Sequence, residues 1–333
     1  MLTAIDETTA PAGPPAQRTS GDSGSGKKIA RPKRSLKSAF LRYKWLYLLL
    51  APGVAYFLIF RYWPMYGAII AFKDYVPFLG IDGSKWVGWA QFTQFFQDPD
   101  FGRLLANTLI LAGLSLVIAF PLTIVVALLL NELRLTVLKR TVQTLIYIPH
   151  FLAWTIVASL TYLLFAQGNG VLFGLINGVL GTHIDFLTSP GWFRPLIVLQ
   201  DIWKNTGWGT IIFLAALASV DLNQYEAAII DGAGRFQRVW HVTLPSIRGT
   251  VIVMLILQMG SILNTGFEQI YLMTNSLNRQ VADVFDTYVY FVGITQGAYS
   301  YATAVGLFKA LVGIVLIVGA NWLAKRFNQD GIF

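Results

Sequence analysis

Six long apolar stretches constrain this chain more than any other feature of its sequence. A helix of about 20 mostly apolar residues is long enough to cross the hydrocarbon core of a bilayer. Only 13% of the residues are charged, against about 25% in soluble domains. The sequence therefore predicts an all-α membrane protein, solvated by membrane lipid, with six transmembrane helices. The predicted spans are 45–64, 105–130, 141–165, 196–220, 249–273 and 303–324.

The distribution of lysine and arginine predicts the orientation of these spans. Basic residues are enriched in cytoplasmic loops. Segments 1–44, 131–140, 221–248 and 325–333 would lie on one side of the membrane, and they hold 17 of the 25 basic residues. We therefore expect both termini to be cytoplasmic. The net charge of +8 then reflects these segments, and we expect no nucleic-acid partner.

Residues 1–40 differ in composition from the transmembrane domain that we predict over residues 41–333. They are rich in small residues and proline and then become basic. Such a segment cannot bury a core, so we predict a disordered cytoplasmic tail. Gly21–Lys27 has the spacing of a phosphate-binding P-loop, but Lys28 stands where that motif needs Ser or Thr, and no strand precedes it. We expect no nucleotide or other cofactor on this chain.

The sequence offers little material for catalysis. The chain has no cysteine and three histidines, which excludes disulfides and thiolate metal sites. The motifs H-E-x-x-H and G-x-S-x-G are absent. We expect no catalytic residue and no metal site, which counts against a membrane-embedded enzyme.

A polar loop, residues 221–248, separates the fourth and fifth spans. Its central sequence EAAIIDGAGRFQRVWHVTLP predicts a helix that begins near Tyr225, capped by Asn223 or Asp221. Asp231-Gly232 is a turn signal.

A second helix is predicted from Arg235 to Val242, with Phe236, Val239 and Trp240 on one side. Leu244-Pro245 would end this helix and begin the next span. The pattern predicts a rigid helix–turn–helix knob that could dock on a partner, but the residues alone favour an ordinary connector between membrane helices.

Polar residues inside the spans are candidates for a solute path, because ionisable groups in a membrane are costly. In the fourth span, polar and aromatic residues recur at helical spacing, and a polar stripe follows the fifth. Aromatic side chains could stack on sugar rings, and the two lysines could offset sugar carboxylates. The candidates are Tyr147, Trp154, Asp201, Trp203, Lys204, Asn205, Trp208, Gln258, Asn264, Glu268 and Lys309.

A structural interpretation of the same residues remains open. Asp201 and Lys204 could neutralise each other, as could Glu268 and Lys309, or they could contact another chain. His150 follows Pro149 at an expected kink, where a structural use is favoured over a proton relay.

The spacing Glu226-Ala227-Ala228, three residues, Gly232, nine residues, Val242, one residue, Leu244-Pro245 resembles the EAA loop of permeases in binding-protein-dependent ABC importers. Val242 replaces the usual isoleucine. From about Tyr43 onward the chain resembles sugar permeases of the maltose-permease type, and more narrowly the subgroup for oligosaccharides from polysaccharides such as alginate. The runs that carry this resemblance are Leu50–Gly53, Pro64–Gly67, Phe72-Lys73, Phe78–Gly80 and Asn107–Leu109.

The resemblance implies a type I importer fold in a bacterial cytoplasmic (inner) membrane, with the loop as a cytoplasmic coupling helix. It implies four kinds of partner: a second and different permease chain, an ATPase dimer that carries ATP and Mg²⁺, an external solute-binding protein, and an oligosaccharide. The coupling residues implied are Glu226, Ala227, Ala228, Gly232, Arg235, Arg238, Leu244 and Pro245.

An ion-gradient-driven transporter or channel is the alternative that the residues leave open. Asp201 and Glu268 would suit such a protein. However, many secondary transporters show internal repeats, and no convincing repeat is visible in this sequence.

Overall fold

The structure is a computed structural model that describes residues 43–181 and 183–326. Contacts between residues divide the chain into two units, Met1–Arg61 and Tyr62–Phe333. Helix α1 (Lys44–Phe57) belongs to the first unit, and a π-helical turn follows it at Leu58–Tyr62. The tail predicted over residues 1–40 lies outside the described residues.

Among the described residues of the second unit, the only strands form one short antiparallel hairpin, in which Lys73 pairs with Trp86 and Asp74 with Lys85. The hairpin strands are β1 (Lys73–Asp74) and β2 (Lys85–Trp86). The first five longer helices are α2 (Ala90–Gln97), α3 (Phe101–Leu114), α4 (Phe120–Glu132), α5 (Thr136–Tyr147) and α6 (Trp154–Phe165). Next come α7 (Val171–Leu180), α8 (Pro190–Ala218), α9 (Leu222–Ile230), α10 (Arg235–Arg238) and α11 (Leu244–Gly260). The last four are α12 (Phe267–Met273), α13 (Arg279–Ala282), α14 (Phe285–Tyr290) and α15 (Tyr299–Arg326).

Shorter helical turns connect these elements. Two short helices occupy Trp63–Met65 and Gly80–Gly83. The 3₁₀ turns are Tyr66–Phe72, Pro77–Leu79 and Ile148–Phe151. The π-helical turns of this unit are Ser115–Ala119, Val239–Thr243 and Phe291–Thr295.

Four continuous helical stretches within the described residues are long and apolar enough to cross a membrane. Two bent pairs of helices also meet these criteria, and the count is six if each pair is one span. This confirms the predicted class of helical membrane protein. The four stretches are Lys44–Phe72, Phe101–Glu132, Arg235–Gly260 and Tyr299–Arg326, and the bent pairs are Thr136–Phe151 with Trp154–Phe165 and Pro190–Ala218 with Leu222–Ile230.

The third predicted span, 141–165, is not one straight helix. Its two helical parts meet at an angle of 101°. The 3₁₀ turn contains Pro149, and Leu152 and Ala153 are extended. Proline has no N–H to donate and its ring crowds the preceding turn, so the break falls where the proline stands.

The prediction that residues 249–273 form a continuous span is wrong. Helix α11 ends at Gly260, and helical structure resumes only at Phe267 after Gly266, whose φ is +79°. Ser261 donates its hydroxyl proton to the carbonyl of Gln258. Short polar side chains compete for backbone groups in this way and disfavour helix interiors. We call residues 261–266 the unwound segment.

The prediction that Leu244-Pro245 ends a helix is also wrong, because the helix continues from Arg235 to Gly260. A π-helical turn lies directly before Leu244, and the N–H of Leu244 bonds to the carbonyl of Val239, five residues back. The widened turn accommodates the ring of Pro245 and its missing donor. The same arrangement precedes Pro121, two residues after another π-helical turn.

Helix α8 lies at the centre of the second unit and packs against α4 and α5. Its close contacts depend on glycine. A Cβ on Gly207 would lie 1.9 Å from the carbonyl oxygen of Ile146, and a Cβ on Gly209 would lie 2.8 Å from Cγ2 of Thr123. Small residues let membrane helices approach closely. Buried apolar side chains of Ala127, Phe213, Leu217 and Ile247 extend this packing to α11.

A carboxylate ties α2 to two later helices. Asp98 accepts hydrogen bonds from the hydroxyls of Tyr288 (2.5 Å) and Tyr301 (2.7 Å). Partial burial would raise the pKa of Asp98, but these bonds outweigh it and the pKa lies below its ordinary value. Burial and the bond to Asp98 raise the pKa of Tyr288 to about 12. At neutral pH, Asp98 therefore stays ionised as the acceptor, and Tyr288 stays protonated as a donor.

The Gly207 contact yields a direct prediction. Gly207→Ala places a methyl group inside a backbone contact, so we expect a destabilisation of about 1–3 kcal/mol from overpacking. Thermal unfolding of the purified chain in detergent measures this as a lower midpoint.

Gly113→Ala is the matched control, because a Cβ there meets nothing within 4 Å in helix α3. It should leave the midpoint unchanged or raise it. Equal midpoints for both variants would contradict the close contact at Gly207.

Candidate functional site

The polar loop folds as the predicted knob, with its first helix starting earlier than expected. Helix α9 begins at Leu222 and not near Tyr225. Asp221 is the N-cap, and its carboxylate accepts the N–H of Asn223 at 3.0 Å. The cap satisfies a donor that the first helical turn leaves free, which explains why the helix starts there.

A left-handed glycine ends α9 and sets the direction of α10. Gly232 has φ +79°, a conformation that residues with a Cβ adopt only with strain. The N–H of Ala233 bonds to the carbonyl of Ala228 at 2.9 Å, so the helix end is closed by backbone bonds. The hydroxyls of Tyr225 and Thr243 lie 2.9 Å apart and join α9 to the helix that follows. The knob is therefore held at both ends.

The knob presents apolar and charged side chains together. Ile230 is 85% exposed and Phe236 80% exposed, and the rings of Phe236 and Trp240 stack with centroids 6.4 Å apart. Glu226, Ala227, Arg235 and Pro245 are exposed, whereas Ala228, Arg238 and Leu244 are half-buried. An exposed apolar group framed by charges is typical of a protein-binding surface.

A cavity of about 460 Å³ lies inside the second unit, between α3, α4, α8, α11 and the unwound segment. Six of the predicted path residues line it: Trp154, Asp201, Asn205, Trp208, Gln258 and Asn264. The lining does not include Tyr147, Trp203, Lys204, Glu268 or Lys309. Part of the polar stripe expected on a fifth helix therefore lies in the unwound segment, and it lines the cavity from there.

A chain of hydrogen bonds runs along the α8 side of the cavity. Asn205 donates from Nδ2 to Oδ1 of Asp201 at 2.7 Å, and its Oδ1 lies 3.1 Å from Nδ1 of His150. Since an amide oxygen only accepts, the proton of this second bond belongs to His150. The His150 ring stacks on Trp208 with centroids 4.6 Å apart. His150 is thus fixed in place on the cavity wall.

Lys204 has a structural partner that the sequence did not reveal. Its Nζ donates to the carbonyls of His150 (2.6 Å), Leu152 and Pro149 (3.5 Å). Helix breaks leave carbonyls without intrahelical donors, and lipid cannot supply any. Lys204 therefore satisfies the break between α5 and α6. It forms no ion pair with Asp201 among the described residues, so that open alternative does not hold.

Lys309 also has a partner, and it is not Glu268. Its ammonium pairs with Asp286, whose other carboxylate oxygen accepts the N–H of Thr265 at 3.3 Å. This pair borders a separate pocket of about 310 Å³. The Asp286–Lys309 pair therefore holds one end of the unwound segment, and the Glu268–Lys309 pair that the sequence left open is not formed among the described residues.

Helix α12, which follows the unwound segment, is anchored by side-chain amides. Gln269 donates to the carbonyl of Ile197 (2.8 Å) and to Oε1 of Gln200 (3.0 Å). Gln200 donates in turn to the hydroxyl of Thr161 at 2.7 Å. Such bonds between side chains hold membrane helices together.

The geometry agrees with a family assignment. Residues 119–329, more than half of the chain, match the family model described as "Binding-protein-dependent transport system inner membrane component". The chain belongs to this family. It is therefore a multi-pass membrane permease subunit of a transport system, and the matched region contains the whole knob.

Two curated relatives from Bacillus subtilis (strain 168) are similar over nearly their full lengths. Protein LplB is 64% identical over 299 residues, which is 90% of this chain and 94% of LplB. The polygalacturonan/rhamnogalacturonan transport system permease protein YteP is 51% identical over 318 residues, which is 96% of this chain and 98% of YteP.

A solved structure has the same fold. It is the crystal structure of a bacterial alginate ABC transporter in complex with alginate pentasaccharide-bound periplasmic protein. One of its chains matches with a TM-score of 0.82 and 38% identity, covering 89% of this chain and 99% of that chain. The type I permease fold expected from the EAA resemblance is confirmed.

Sequence reasoning missed several residues of the permease cavity. Ser115 faces Asp201 at 3.4 Å from a π-helical turn, and Thr206 and Gln269 also line the wall. Ser115 lies in a span that the sequence marks only as apolar. Gln269 follows Gln258 by close to three helical turns, so helical spacing could have included it in the expected stripe.

Lys204 gives a prediction that separates a structural role from recognition of a solute. Lys204→Met keeps the length of the side chain but leaves the carbonyls of the break unpaired. We expect a lower thermal unfolding midpoint in detergent, because each unsatisfied buried group costs about 1–3 kcal/mol.

Lys325→Met serves as the control, since Lys325 is exposed in the last turn of α15. An unchanged midpoint for Lys204→Met, with selective loss of acidic-sugar uptake, would instead assign Lys204 to the solute.

Proposed function

We propose that this permease subunit passes an oligosaccharide across the membrane as part of an ATP-driven ABC importer. The observation that carries the proposal is the rigid, exposed knob between two membrane helices, in a chain whose cavity is lined by hydroxyls, amides and aromatic rings. The knob supplies a docking surface for an ATPase, and the cavity lining supplies hydrogen-bonding and stacking groups suited to a sugar.

The class of solute is supported by the relatives. The name of YteP includes polygalacturonan and rhamnogalacturonan, and the matched solved transporter holds an alginate-bound periplasmic protein. We infer that the solute of this permease is an oligosaccharide released from a polysaccharide, with acidic sugars such as alginate- or pectin-derived units included.

The partners follow from the same comparison. We assign to the complex an external solute-binding protein that delivers the sugar, and a second permease chain that completes the path. An ATPase dimer would bind ATP and Mg²⁺ and hydrolyse the nucleotide. This chain would contribute no catalytic residue.

The knob would serve as the coupling element, with Glu226, Ala227 and Gly232 at its docking surface and both termini on the same cytoplasmic side. Its helix is continuous with the membrane helix through Gly260, so a displacement of the knob is transmitted along one rigid element. Phe236 and Trp240 are suitable anchors, because aromatic side chains dominate many interfaces.

An ion-gradient-driven transporter is not favoured. Family membership associates this fold with binding-protein-dependent systems. Asp201, the acid that would suit ion coupling, is hydrogen-bonded to Asn205 and Ser115.

The coupling role is tested by Gly232→Val in the complete complex in proteoliposomes. A β-branched residue is strained at positive φ, so the turn between α9 and α10 must change shape. We expect ATP-driven uptake to fall about tenfold or more, while the amount of chain inserted in the membrane stays unchanged.

Gly168→Val is the matched control, because Gly168 also has a positive φ (+86°) and open space around it, and it lies outside the knob. It should retain uptake. Wild-type uptake by Gly232→Val would refute the coupling role. Uptake by this chain without any ATPase would refute the importer assignment itself.

A further inference from the structure

The cavity wall of this permease carries an unusual balance of charge for a system whose relatives handle acidic polysaccharides. Among the described residues that line it, Asp201 is the sole acid, and neither lysine nor arginine is present. His150 is the one basic group, and its Nδ1 proton is committed to Asn205. A carboxyl group is either negative or neutral, so Asp201 cannot compensate an anionic sugar in either form.

The lysines that could have supplied positive charge are engaged elsewhere. Lys204 donates to three backbone carbonyls, and Lys309 is paired with Asp286 beside a different pocket. Using either of them for a solute would leave carbonyls or a carboxylate unpaired inside the membrane, which is costly.

Two hydroxyl groups of the wall lack a partner within the described chain. The Oγ1 atoms of Thr206 and Thr265 are buried and make no hydrogen bond, and both residues line the cavity. Thr206 is only 8% exposed. A buried hydroxyl without a partner costs about 1–3 kcal/mol, and a threonine in a helix can usually bond to a backbone carbonyl one turn back. The Thr206 hydroxyl therefore has an unused capacity to donate and to accept, and it lies just beneath the cavity surface, where a small side-chain shift is needed to reach a solute.

These groups surround an aromatic surface. Trp208 is 45% exposed and carries His150 stacked against it. The apolar faces of sugar rings pack on such surfaces, while the hydroxyls at the ring edge need hydrogen-bond partners. Asp201 accepts, Asn205 lies beside it, and Thr206 both donates and accepts.

We propose that this chain selects its solute by hydroxyl groups, through Asp201 and Thr206, and leaves the charge of an acidic sugar uncompensated. Recognition of a sugar carboxylate then falls to another chain of the complex. The inference rests on the proposed function, and it adds that the cavity wall recognises the hydroxyl groups of the solute.

The test compares uptake of two tetrasaccharides of the same linkage, one neutral and one a uronate, in proteoliposomes with the complete complex and its binding protein. The binding protein is identical in every reaction, so any change in the ratio of uptake efficiency between the two sugars belongs to the permease. Asp201→Asn removes the acid at nearly constant shape, and Thr206→Val removes the hydroxyl.

Thr206→Val should lower uptake of both sugars by a similar factor of about five, the value of one lost hydrogen bond. Asp201→Asn should shift the ratio toward the uronate by about tenfold, because a group that accepts hydroxyls and repels carboxylates is replaced by a neutral amide. Thr155→Val and Glu132→Gln, two residues outside the cavity lining, should change neither quantity.

Three results would overturn the inference. The first is an equal loss for both sugars in Asp201→Asn, which would mark Asp201 as structural only. The second is a shift of the ratio toward the neutral sugar. The third is a selective loss of uronate uptake in His150→Gln, which would assign the charge reading to this wall. If the wild-type complex imported neither sugar while its ATPase responded to the binding protein, the proposed function would fail, and this inference with it.

Discussion

Unpaired backbone groups inside a membrane are the constraint on which the rest of this structure depends. Lipid offers no hydrogen bonds, so each interruption of a helix needs partners from the protein. The chain is interrupted at Ile148–Ala153 and in the unwound segment, residues 261–266. Lys204 binds the carbonyls of the first break, and the Asp286–Lys309 pair holds the second through the N–H of Thr265. The interruptions bring polar groups to the cavity, and the buried charges make the interruptions tolerable.

This use of buried charges to pair backbone groups changes how the charged residues in the spans are interpreted. Ionisable groups in a membrane usually suggest contact with a solute, and Lys204 and Lys309 both fit that pattern in the sequence. In the structure their charges are used to stabilise the backbone. The surface left for a solute combines aliphatic side chains and aromatic rings with hydroxyls, amides, one imidazole and one carboxyl group, which suits a sugar.

Much of the knob could be predicted because its signals are local. Asp221 as a cap, the turn at Gly232 and the helical spacing of Phe236 and Trp240 all depend on nearby residues. The prediction of a continuous fifth span failed because a hydropathy average does not detect that a helix unwinds at polar residues. The partners of Lys204 and Lys309 were missed because they lie far away in the sequence, across elements whose packing no periodicity encodes. Half of the predicted path residues that line the cavity share one face of α8, because helical spacing groups them, and the others lie on α6, α11 and the unwound segment.

In the proposed function, the knob transmits the movement of a separate motor, and the absence of cysteine from the chain makes this directly measurable. A cysteine introduced as Ala227→Cys can be cross-linked to cysteines placed along the groove of the partner ATPase in intact vesicles. Efficient cross-linking that changes when ATP is added would agree with a cytoplasmic knob moved by the motor. Labelling of the same cysteine by a membrane-impermeant thiol reagent from outside the cell, with no cross-link to the ATPase, would contradict it.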